Sequence, residues 1–380
     1  MRVYLTRPNL TNNRDFHLME KEATMGDETS LSHFLRDRNS FVRNGWAYGE
    51  ALAHFILERG LISGNNPHIV EVGGGLGDVA RTAIPVFLEA GKDIRYTMVD
   101  LSPKLQEAQR RNTAEFGGRM EYVSGDAEKI DRLVPHADFV LCNEVIADYR
   151  AIGNIPLTRG GKPTGLEQAE GDIRRNQRVW NVAWDMIDQY HLTVPKEDDK
   201  VYSFALNYGA IKFVEALHRL LPPGGSAFLV EFTSPFARTA ELPKHQEHSI
   251  SKIHMKQVLD TLGFKWQMGN GNDYLGIDPN KQTVREEVVA LWLMIGQNPY
   301  DFMKDPKYPS VSNLWKLRPY QDRLIADPAK YKVLDRRVTP EEFKVLAKQM
   351  GWNIENPETE PIGKPGFDYY ILQKPDKYLL

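Results

Sequence analysis

The feature that most constrains the fold is an alternation of short apolar segments with amphipathic ones between residues 68 and 143. The segments HIVEV, IRYTMVDLS, MEYVSGD and ADFVLCNEV have the length and composition of strands, and LGDVARTAIPVFLEAG and PKLQEAQRRNTAEFGG have the pattern of helices. Apolar strands that alternate with helices through short connections form parallel sheets covered by helices on both faces. The sequence therefore predicts an α/β fold with a doubly wound, mostly parallel sheet.

The regions around this alternation divide the chain into three predicted parts. Residues 1–60 form a helical N-terminal segment that acts as a lid, and residues 61–240 form the α/β core. Within the core, residues 150–200 interrupt the alternation with a polar, glycine-containing stretch and the amphipathic segment RVWNVAWDMIDQYHL. We expect a helical insertion there, over the open end of the sheet. Residues 241–380 are mostly helical by pattern and end in a last sheet strand at 367–374.

Charge and composition restrict the expected partners and compartment. The 380 residues carry a formal net charge of −3 and are 41% hydrophobic, which gives no electrostatic reason to expect binding to nucleic acid or to a membrane. The N-terminus lacks an apolar signal region, and no window reaches the ~18 apolar residues of a membrane span. The single cysteine, Cys142, suits a reducing compartment, so we expect a cytoplasmic protein. The sequence is compatible with a homodimer but does not fix the oligomeric state.

A glycine-rich turn follows the first predicted strand, in the sequence IVEVGGGLG at residues 69–77. Gly73, Gly75 and Gly77 would let the backbone pass close beneath a ligand, because a side chain there would collide with it. Their spacing, G-x-G-x-G, differs from the G-x-G-x-x-G fingerprint of dinucleotide sites. Glycine-rich turns also serve packing alone, so this motif indicates a binding site only together with other residues.

Three acidic residues stand at the ends of the first three predicted strands. Asp100 could accept hydrogen bonds from both hydroxyls of a ribose, a feature that NAD sites share. Asp126 could reach an adenine amino group, and Glu71 lies two residues before the first glycine. Any one of them could be a turn or cap residue, but three at consecutive strand ends favour a common ligand. Glu71 would repel a pyrophosphate and attract an ammonium group, so the set favours S-adenosylmethionine over a dinucleotide.

This arrangement resembles the class I S-adenosylmethionine-dependent methyltransferases over roughly residues 45–235. The resemblance implies a Rossmann-like sheet of seven strands and a set of cofactor-binding residues. That set contains Glu71, Gly73, Gly75 and Gly77 of the first motif, Asp100 and Leu101 at the ribose, Asp126 and Ala127 at the adenine, and Asn143 beside the methyl group. Within the class, VDLSPKLQEAQ and NEVIADY resemble the MidA-like group, which includes protein-arginine methyltransferases and enzymes of natural-product assembly.

The chain departs from the MidA pattern at one position. That pattern has an acid three residues after the glutamate of the Asn-Glu pair, whereas this chain has Ala147 there and its acid is the next residue, Asp148. The departure weighs against methylation of arginine and leaves the resemblance to methyltransferases unchanged.

The loop CNEVIADY after the fourth predicted strand is the expected acceptor side of the site. Glu144, Asp148 and His248 are candidates for a catalytic base. A hydroxyl or an enolisable carbon would need such a base, because the acceptor must lose its proton before or during attack. Glu144 could instead bind a cationic acceptor such as a guanidinium, or serve only as a loop cap.

The polar stretch ELPKHQEHSISKIH, at residues 241–254, is open to two functional interpretations. In one, His245 lines the substrate pocket together with Asn207 and Tyr208. In the other, His245, Glu247 and His248 hold a divalent metal. His-x-x-His spacing alone is too loose to specify a metal, because helical ligand pairs usually stand at i, i+4. Pocket residues without a metal are the favoured interpretation, and surface or capping roles are the third.

The sequence thus favours an S-adenosylmethionine-dependent methyltransferase that acts on oxygen, carbon or nitrogen of a small-molecule or carrier-bound biosynthetic intermediate. One alternative is a protein-arginine methyltransferase of the MidA type that modifies a partner protein. A second alternative is a non-catalytic assembly module that retains the fold. The complete set of acidic and glycine residues speaks against the module, because a protein freed from catalysis would not need it.

Overall fold

A computed structural model of the chain describes residues 10–11, 18, 32, 36–38, 42–161, 170–196, 203–241, 246–276 and 367–375. The strands in these residues are β1 (Leu10–Thr11), β2 (His68–Val72), β3 (Arg95–Asp100), β4 (Met120–Ser124), β5 (Phe139–Asn143), β6 (Ala151–Pro156), β7 (Ser203–Leu206), β8 (Ser226–Ser234), β9 (Thr239–Glu241), β10 (Gln246–His248), β11 (Ile250–Ser251), β12 (Lys265–Asn270) and β13 (Phe367–Gln373). Seven of them form one central sheet in the order β12–β13–β8–β5–β2–β3–β4, and β11 adds to it beside β8.

Most of the central sheet is parallel. The strand β2 pairs in parallel with β3 and β5, β3 with β4, and β5 with β8. The strand β13 is antiparallel to both of its neighbours, β8 and β12. Every residue of β2 and β5 is buried, which explains their continuous apolar sequences. The predicted Rossmann-like α/β fold, with a mostly parallel sheet of seven strands, is therefore confirmed.

The helices are α1 (Tyr48–Glu58), α2 (Asp78–Glu89), α3 (Pro103–Asn112), α4 (Ile130–Leu133), α5 (Glu170–Tyr190), α6 (Tyr208–Leu220), α7 (Lys252–Leu262) and α8 (Asn272–Leu275). Local sequence explains where two of them begin. Ser102 accepts a hydrogen bond from the N–H of Leu105 at 3.3 Å, and Pro103 occupies the first position of α3. Ser251 caps α7 in the same way through the N–H of His254 at 3.2 Å.

An apolar core lies on each face of the central sheet. Because successive side chains of a strand point to opposite faces, Ile69 belongs to one core and Val70 and Val72 to the other. The core that contains Ile69 also takes buried residues of α1 and α2, and the other core takes those of α5 and α6. The sheet is thus covered on both faces, as the doubly wound pattern predicts.

A second, antiparallel sheet is formed by β1, β6 and β7. The indole of Trp180, on α5, is fully buried and donates to the carbonyl of Gly153, on β6, at 3.3 Å. The sequence predicts the helix of this insertion but not β6, because the residues AIGNIP are typical of turns and acquire a strand conformation from distant partners. The lid role of residues 1–60 and the position of the insertion over the open end of the sheet stay predictions.

The region after residue 240 was predicted to be mostly helical, and its described part is mixed. It contains β10, β11 and β12 as well as α7 and α8. The strand β10 is specified by its pairing with β9, which the local pattern does not reveal. The strand β13 lies where the sequence predicts a final strand, while the domain boundaries at residues 60 and 240 stay predictions. Among the described residues, no helix is both long and apolar enough to cross a membrane.

Candidate active site at the carboxyl ends of the strands

The strand order reverses between β2 and β5. From β2 the chain moves to β3 and β4 on one side, whereas β5 and β8 lie on the other. In doubly wound sheets, ligands bind outside the carboxyl ends of the strands at such a switch point. Those ends carry the glycine turn after Val72, the carboxylate of Asp100, and the pair Asn143 and Glu144. The parallel sheet therefore brings the predicted cofactor and acceptor residues to one edge.

The three predicted glycines of the turn all adopt a positive φ, of 62° at Gly73, 50° at Gly75 and 88° at Gly77. A Cβ at Gly73 would lie 2.1 Å from the side chain of Val145, and one at Gly77 would lie 3.3 Å from the Cα of Gln109. A Cβ at Gly75 would meet nothing within 4 Å. All three glycines were predicted to leave room for a ligand close to the backbone. Gly73 and Gly77 permit close packing of the protein on itself, whereas the space at Gly75 is open, and the ligand roles of all three stay predictions.

The carboxylate of Asp100 is buried at the end of β3, with the residue 7% exposed. One oxygen accepts a hydrogen bond from the N–H of Ser102 at 2.9 Å, and the other accepts one from the amide nitrogen of Gln109 at 2.8 Å. Burial raises the pKa of Asp100 to about 6, and these hydrogen bonds oppose the rise. The backbone of Leu101 adds a further hydrogen bond, and because a carboxylate has about four acceptor positions, Asp100 retains capacity to accept from a ligand hydroxyl.

Glu71 is buried in β2, next to the glycine turn. The hydroxyl of Tyr96 donates to its Oε2 at 3.0 Å. Burial raises the pKa of Glu71 to about 7; the Tyr96 bond opposes the rise, and the nearby carboxylates of Asp100 and Asp78 add to it. A carboxyl with a pKa near neutrality ionises readily when a cation binds beside it. The position therefore suits an ammonium group.

The residues predicted at the adenine lie after β4. Asp126 caps the short 3₁₀ helix Ala127–Lys129, because its Oδ1 accepts from the N–H of Glu128 at 3.1 Å. Ala127 is buried, and Leu101, which follows Asp100, is partly exposed. The capping contact is compatible with a second use of Asp126, and the ligand roles of these residues stay predictions.

The acceptor side begins with Asn143 and Glu144, at the end of β5. Glu144 has a φ of 56°, a left-handed conformation that costs a residue other than glycine about 1–3 kcal/mol. Its N–H donates to the carbonyl of Val230 at 2.9 Å, and its Oε1 accepts from the amide nitrogen of Asn143 at 3.1 Å. Residues held in such conformations cluster at active sites, so the geometry is compatible with the catalytic role predicted for Glu144.

Glu231, on β8, is a buried carboxyl that the sequence analysis did not single out. Its Oε2 accepts from the N–H of Ala147 at 3.0 Å, and its Oε1 from the N–H of the following residue at 2.9 Å. Burial raises the pKa of Glu231 well above its usual range, and the carboxylates of Glu247 and Glu144 add to the rise. Glu231 thus holds the turn after β5. An acid inside the apolar run AFLVEF was a usable signal, of the same kind that identified Glu71.

Two buried tyrosines approach the acceptor side from α1 and α8. The hydroxyl of Tyr48 donates to Asn143 Oδ1 at 2.6 Å and lies 2.6 Å from the hydroxyl of Tyr274. Because Tyr48 gives its only hydrogen to Asn143, Tyr274 is the donor in the second bond. Burial raises the pKa of both hydroxyls above the usual range, so both are neutral at pH 7. The pair is separated by 226 positions, and no local sequence signal identifies it.

Asp148 and His248 come from separate segments that pack together, the 3₁₀ helix Ile146–Asp148 and the strand β10. His248 is 2% exposed, and its Nδ1 lies 3.1 Å from the hydroxyl of Thr239. Burial lowers the pKa of His248 to about 4. The imidazole is therefore neutral at pH 7 and a weaker base than an ordinary histidine, and the choice among Glu144, Asp148 and His248 as proton acceptor stays a prediction.

Asn207 and Tyr208 stand at the start of α6. The side chain of Asn207 donates to the carbonyl of Ser249 at 3.2 Å and accepts from the N–H of Ser251 at 3.0 Å, so it fixes the segment after β10. The ring of Tyr208 lies under the guanidinium of Arg150, 5.0 Å from it. Their predicted roles in lining the substrate pocket stay predictions.

The metal alternative gains no support from the structure. His245 lies outside the described residues. Glu247 and His248 are neighbours on β10, where successive side chains point to opposite faces. In the part of the chain that the structure describes, no group of three His, Cys, Asp or Glu side chains is placed to hold a metal ion.

The ends of β2 and β3 fit S-adenosylmethionine on three observations. Space opens at Gly75, Asp100 retains capacity to accept from a ribose hydroxyl, and Glu71 can ionise beside a cationic amino-acid group. A dinucleotide would bring an anionic pyrophosphate towards two buried carboxyl groups. The residues present therefore suit the sulfur nucleoside better.

Comparison with known proteins gives distant structural matches. A structure of phosphoethanolamine N-methyltransferase 2 from Haemonchus contortus with S-adenosyl-L-methionine matches at 13% identity and a TM-score of 0.43, over 96% of this chain and 60% of its own. An uncharacterized protein from Burkholderia thailandensis matches at 12% identity and a TM-score of 0.43, over 91% of this chain and 87% of its own. The chain spans 52% and 60% of the length of the two Haemonchus contortus structures that it matches. No curated protein sequence matches it.

The sequence itself carries the family assignment. A family model described as "Putative S-adenosyl-L-methionine-dependent methyltransferase" matches residues 51–265, which is more than half of the chain. This match covers the glycine turn, the three strand-end acids and the turn after β5. The chain therefore belongs to this family of S-adenosyl-L-methionine-dependent methyltransferases.

Proposed function

We propose that this protein transfers a methyl group from S-adenosylmethionine to a small-molecule or carrier-bound biosynthetic intermediate. The proposal is carried by the convergence of Glu71, the open position at Gly75 and the buried carboxylate of Asp100 at the switch point of the sheet. When bound, S-adenosylmethionine supplies an electrophilic methyl group on a sulfonium sulfur.

On the cofactor side, the chain binds and orients the donor. Glu71 pairs with the ammonium of the amino-acid part, because its carboxyl is buried beside the turn and has a pKa close to neutrality. Asp100 accepts from a ribose hydroxyl with the capacity that its protein contacts leave open. Asp126 and Ala127, which follow β4, are the proposed contacts to the adenine.

On the acceptor side, the chain holds the nucleophile in line and takes up its proton where one must leave. Alignment of the two reacting groups, with water excluded, supplies most of the rate when the methyl group is already activated. Glu144 is the proposed base, since its carboxylate is oriented by Asn143 at the end of β5. Asp148 and His248 are the other candidates.

Arginine methylation remains the second candidate because of one observation. The carboxylates of Glu144 and Glu247 both lie close enough to Glu231 to raise its pKa, and a group of acids suits a guanidinium. Ala147, where the MidA pattern has an acid, weighs against this acceptor. Small-molecule methylation is therefore the first proposal.

The test is a transfer assay with methyl-labelled S-adenosylmethionine and three acceptor pools: small biosynthetic acids, acyl groups bound to a carrier protein, and arginine-containing proteins. We expect label in one of the first two pools, and its loss in Asp100→Ala. Asp138→Ala is a matched control, because Asp138 accepts a backbone hydrogen bond from His68 at the opposite end of the strands. Label on arginine would overturn the acceptor class. No label and no binding of S-adenosylmethionine would overturn the whole proposal.

A further inference from the structure

One buried side chain connects two parts of the cofactor site that the sequence analysis treated separately. The amide nitrogen of Gln109, on α3, donates to Asp100 Oδ2 at 2.8 Å and to the carbonyl of Gly75 at 3.0 Å. Gln109 is 0% exposed, so these two bonds form away from competing water. The ribose-binding carboxylate and the open position of the glycine turn therefore share one donor group.

The orientation of this amide is fixed by its partners. A backbone carbonyl and a carboxylate are both acceptors, so the nitrogen of Gln109 must face them and its oxygen must face away. That oxygen is buried and has no hydrogen-bond partner among the described residues. An unsatisfied buried acceptor is unfavourable, which shows that the two donated bonds determine how this side chain is placed.

The backbone brings Gln109 to the turn as well. A Cβ at Gly77 would lie 3.3 Å from the Cα of Gln109, so the turn packs directly on α3 at this residue. One turn further along the helix, Asn112 donates to the carbonyl of Leu76 at 2.8 Å. Two consecutive carbonyls of the glycine turn, at Gly75 and Leu76, are thus held by amides from one face of α3.

We propose that Gln109 is a positioning residue of the nucleoside site, which locks the glycine turn and the Asp100 carboxylate into one arrangement before S-adenosylmethionine binds. The inference rests on the proposed function, because it assigns the site to a nucleoside with free ribose hydroxyls. A site fixed in advance binds more tightly, since less ordering is needed when the ligand arrives.

The same contact makes a prediction about pH. The bond from Gln109 to Asp100 Oδ2 favours the ionised form of that carboxyl, so removal of the Gln109 amide raises the pKa of Asp100 further above its usual value. Glu71, on β2, is a charged group that interacts with Asp100, and it is present in both the parent and the variant. Loss of Gln109 should therefore weaken binding most at the lower end of the neutral range and less at higher pH.

The experiment measures the affinity for S-adenosylhomocysteine by calorimetry between pH 5.5 and 8. Gln109→Met keeps the length of the side chain and removes both donated bonds. We expect a loss of about 10- to 100-fold at pH 7, which shrinks as the pH rises. Gln106→Met is the matched control, because Gln106 is a buried neighbour on α3 whose amide donates to the backbone carbonyl of Asp100 at 3.1 Å rather than to its carboxylate.

The control should keep the pH profile of the parent protein. If Gln109→Met binds with the parent affinity, or loses the same factor at every pH, the proposal is overturned. Should that variant fail to fold, Gln109→Asn, which keeps the amide but is one methylene shorter, should lose affinity in the same way, and unchanged affinity would overturn the proposal. The two failures are distinguishable. If the parent protein does not bind S-adenosylhomocysteine, the proposed function is overturned; if the parent binds and the variant behaves like it, only the role of Gln109 is overturned.

Discussion

The cofactor side of the site is held by groups that are closer in sequence than those that hold the acceptor side. The carboxylate of Asp100 accepts hydrogen bonds from Ser102 and Gln109, which are 2 and 9 positions away in sequence. The carboxylate of Glu71 accepts one from Tyr96, 25 positions away. In contrast, Asn143 is held by Tyr48 from 95 positions away, and the N–H of Ala147 is capped from 84 positions away. The contacts on the cofactor side can therefore be anticipated from a sequence motif, whereas those on the acceptor side become visible only in the folded structure.

This contrast has a functional meaning. A donor molecule that is the same in every member of a class can be bound by a compact strand–turn–helix unit. The acceptor varies between such enzymes, and the predicted acceptor residues lie where α1, β8 and α8 meet the end of β5. We therefore expect substitutions on the two sides to affect different measurements, and the following experiments test that separation.

The largest expected effect is that of Asp100→Ala on the affinity for S-adenosylhomocysteine. The substitution removes the charged acceptor of a ligand hydrogen bond, and such a bond is worth about 1.5–3 kcal/mol, so we expect about a 10- to 100-fold loss by calorimetry. Asp138→Ala should keep the parent affinity. A loss below about threefold in Asp100→Ala would show that the cofactor side does not bind the ribose.

The second effect is that of Tyr48→Phe on stability. It leaves the buried Oδ1 of Asn143 without its donor, so we expect the free energy of unfolding to fall by about 1–3 kcal/mol, measured by urea denaturation. Tyr370→Phe is the matched control, because the hydroxyl of Tyr370 is buried and has no partner among the described residues; it should change stability little. The affinity of Tyr48→Phe for S-adenosylhomocysteine should stay within about twofold, and a larger loss would show that the two sides are coupled.

The smallest effect is a pH dependence of cofactor binding through Glu71. Burial raises the pKa of Glu71 to about 7, so the free protein carries a proton there below pH 7 that a bound ammonium must displace. Affinity for S-adenosylhomocysteine should therefore fall by up to about tenfold per pH unit below 7 and level off above 8. In Glu71→Gln this slope should be lost between pH 6 and 7, and an unchanged slope would refute the assignment of Glu71.

The sequence predicted the fold and the cofactor side of the site better than the acceptor side. The alternation around residues 68–143 predicted the parallel sheet, because β2 and β5 are buried on both faces and therefore continuously apolar, and the helices between the strands are local. The acids Glu71 and Asp100 were predictable from their positions at strand ends. Glu231 was detectable as an acid in an apolar strand, but Tyr48 and Tyr274 were not, because nothing near them in sequence indicates that they meet at Asn143.

Two further differences have the same physical cause. The strand β6 forms because the distant strands β1 and β7 pair with it, so its turn-like residues do not predict it. The strand β10 is polar and forms in a hairpin with β9. Gly73 and Gly77 are explained by tertiary contacts as well, because a Cβ would meet Val145 at Gly73 and Gln109 at Gly77. The apolar pattern of a segment predicts its structure only where the segment's own buried residues determine that structure, and not where contacts with other segments do.

The central claim is that a sulfur nucleoside occupies the space above Gly75, and a pair of glycine substitutions tests it most directly. Gly75 and Gly91 both have a positive φ, and a Cβ at either would meet no protein atom within 4 Å. Gly75→Ala and Gly91→Ala should therefore lose similar stability from backbone strain, about 1 kcal/mol. Calorimetry with S-adenosylhomocysteine should show at least about a tenfold loss of affinity in Gly75→Ala alone. Equal affinity in the two variants would contradict the account.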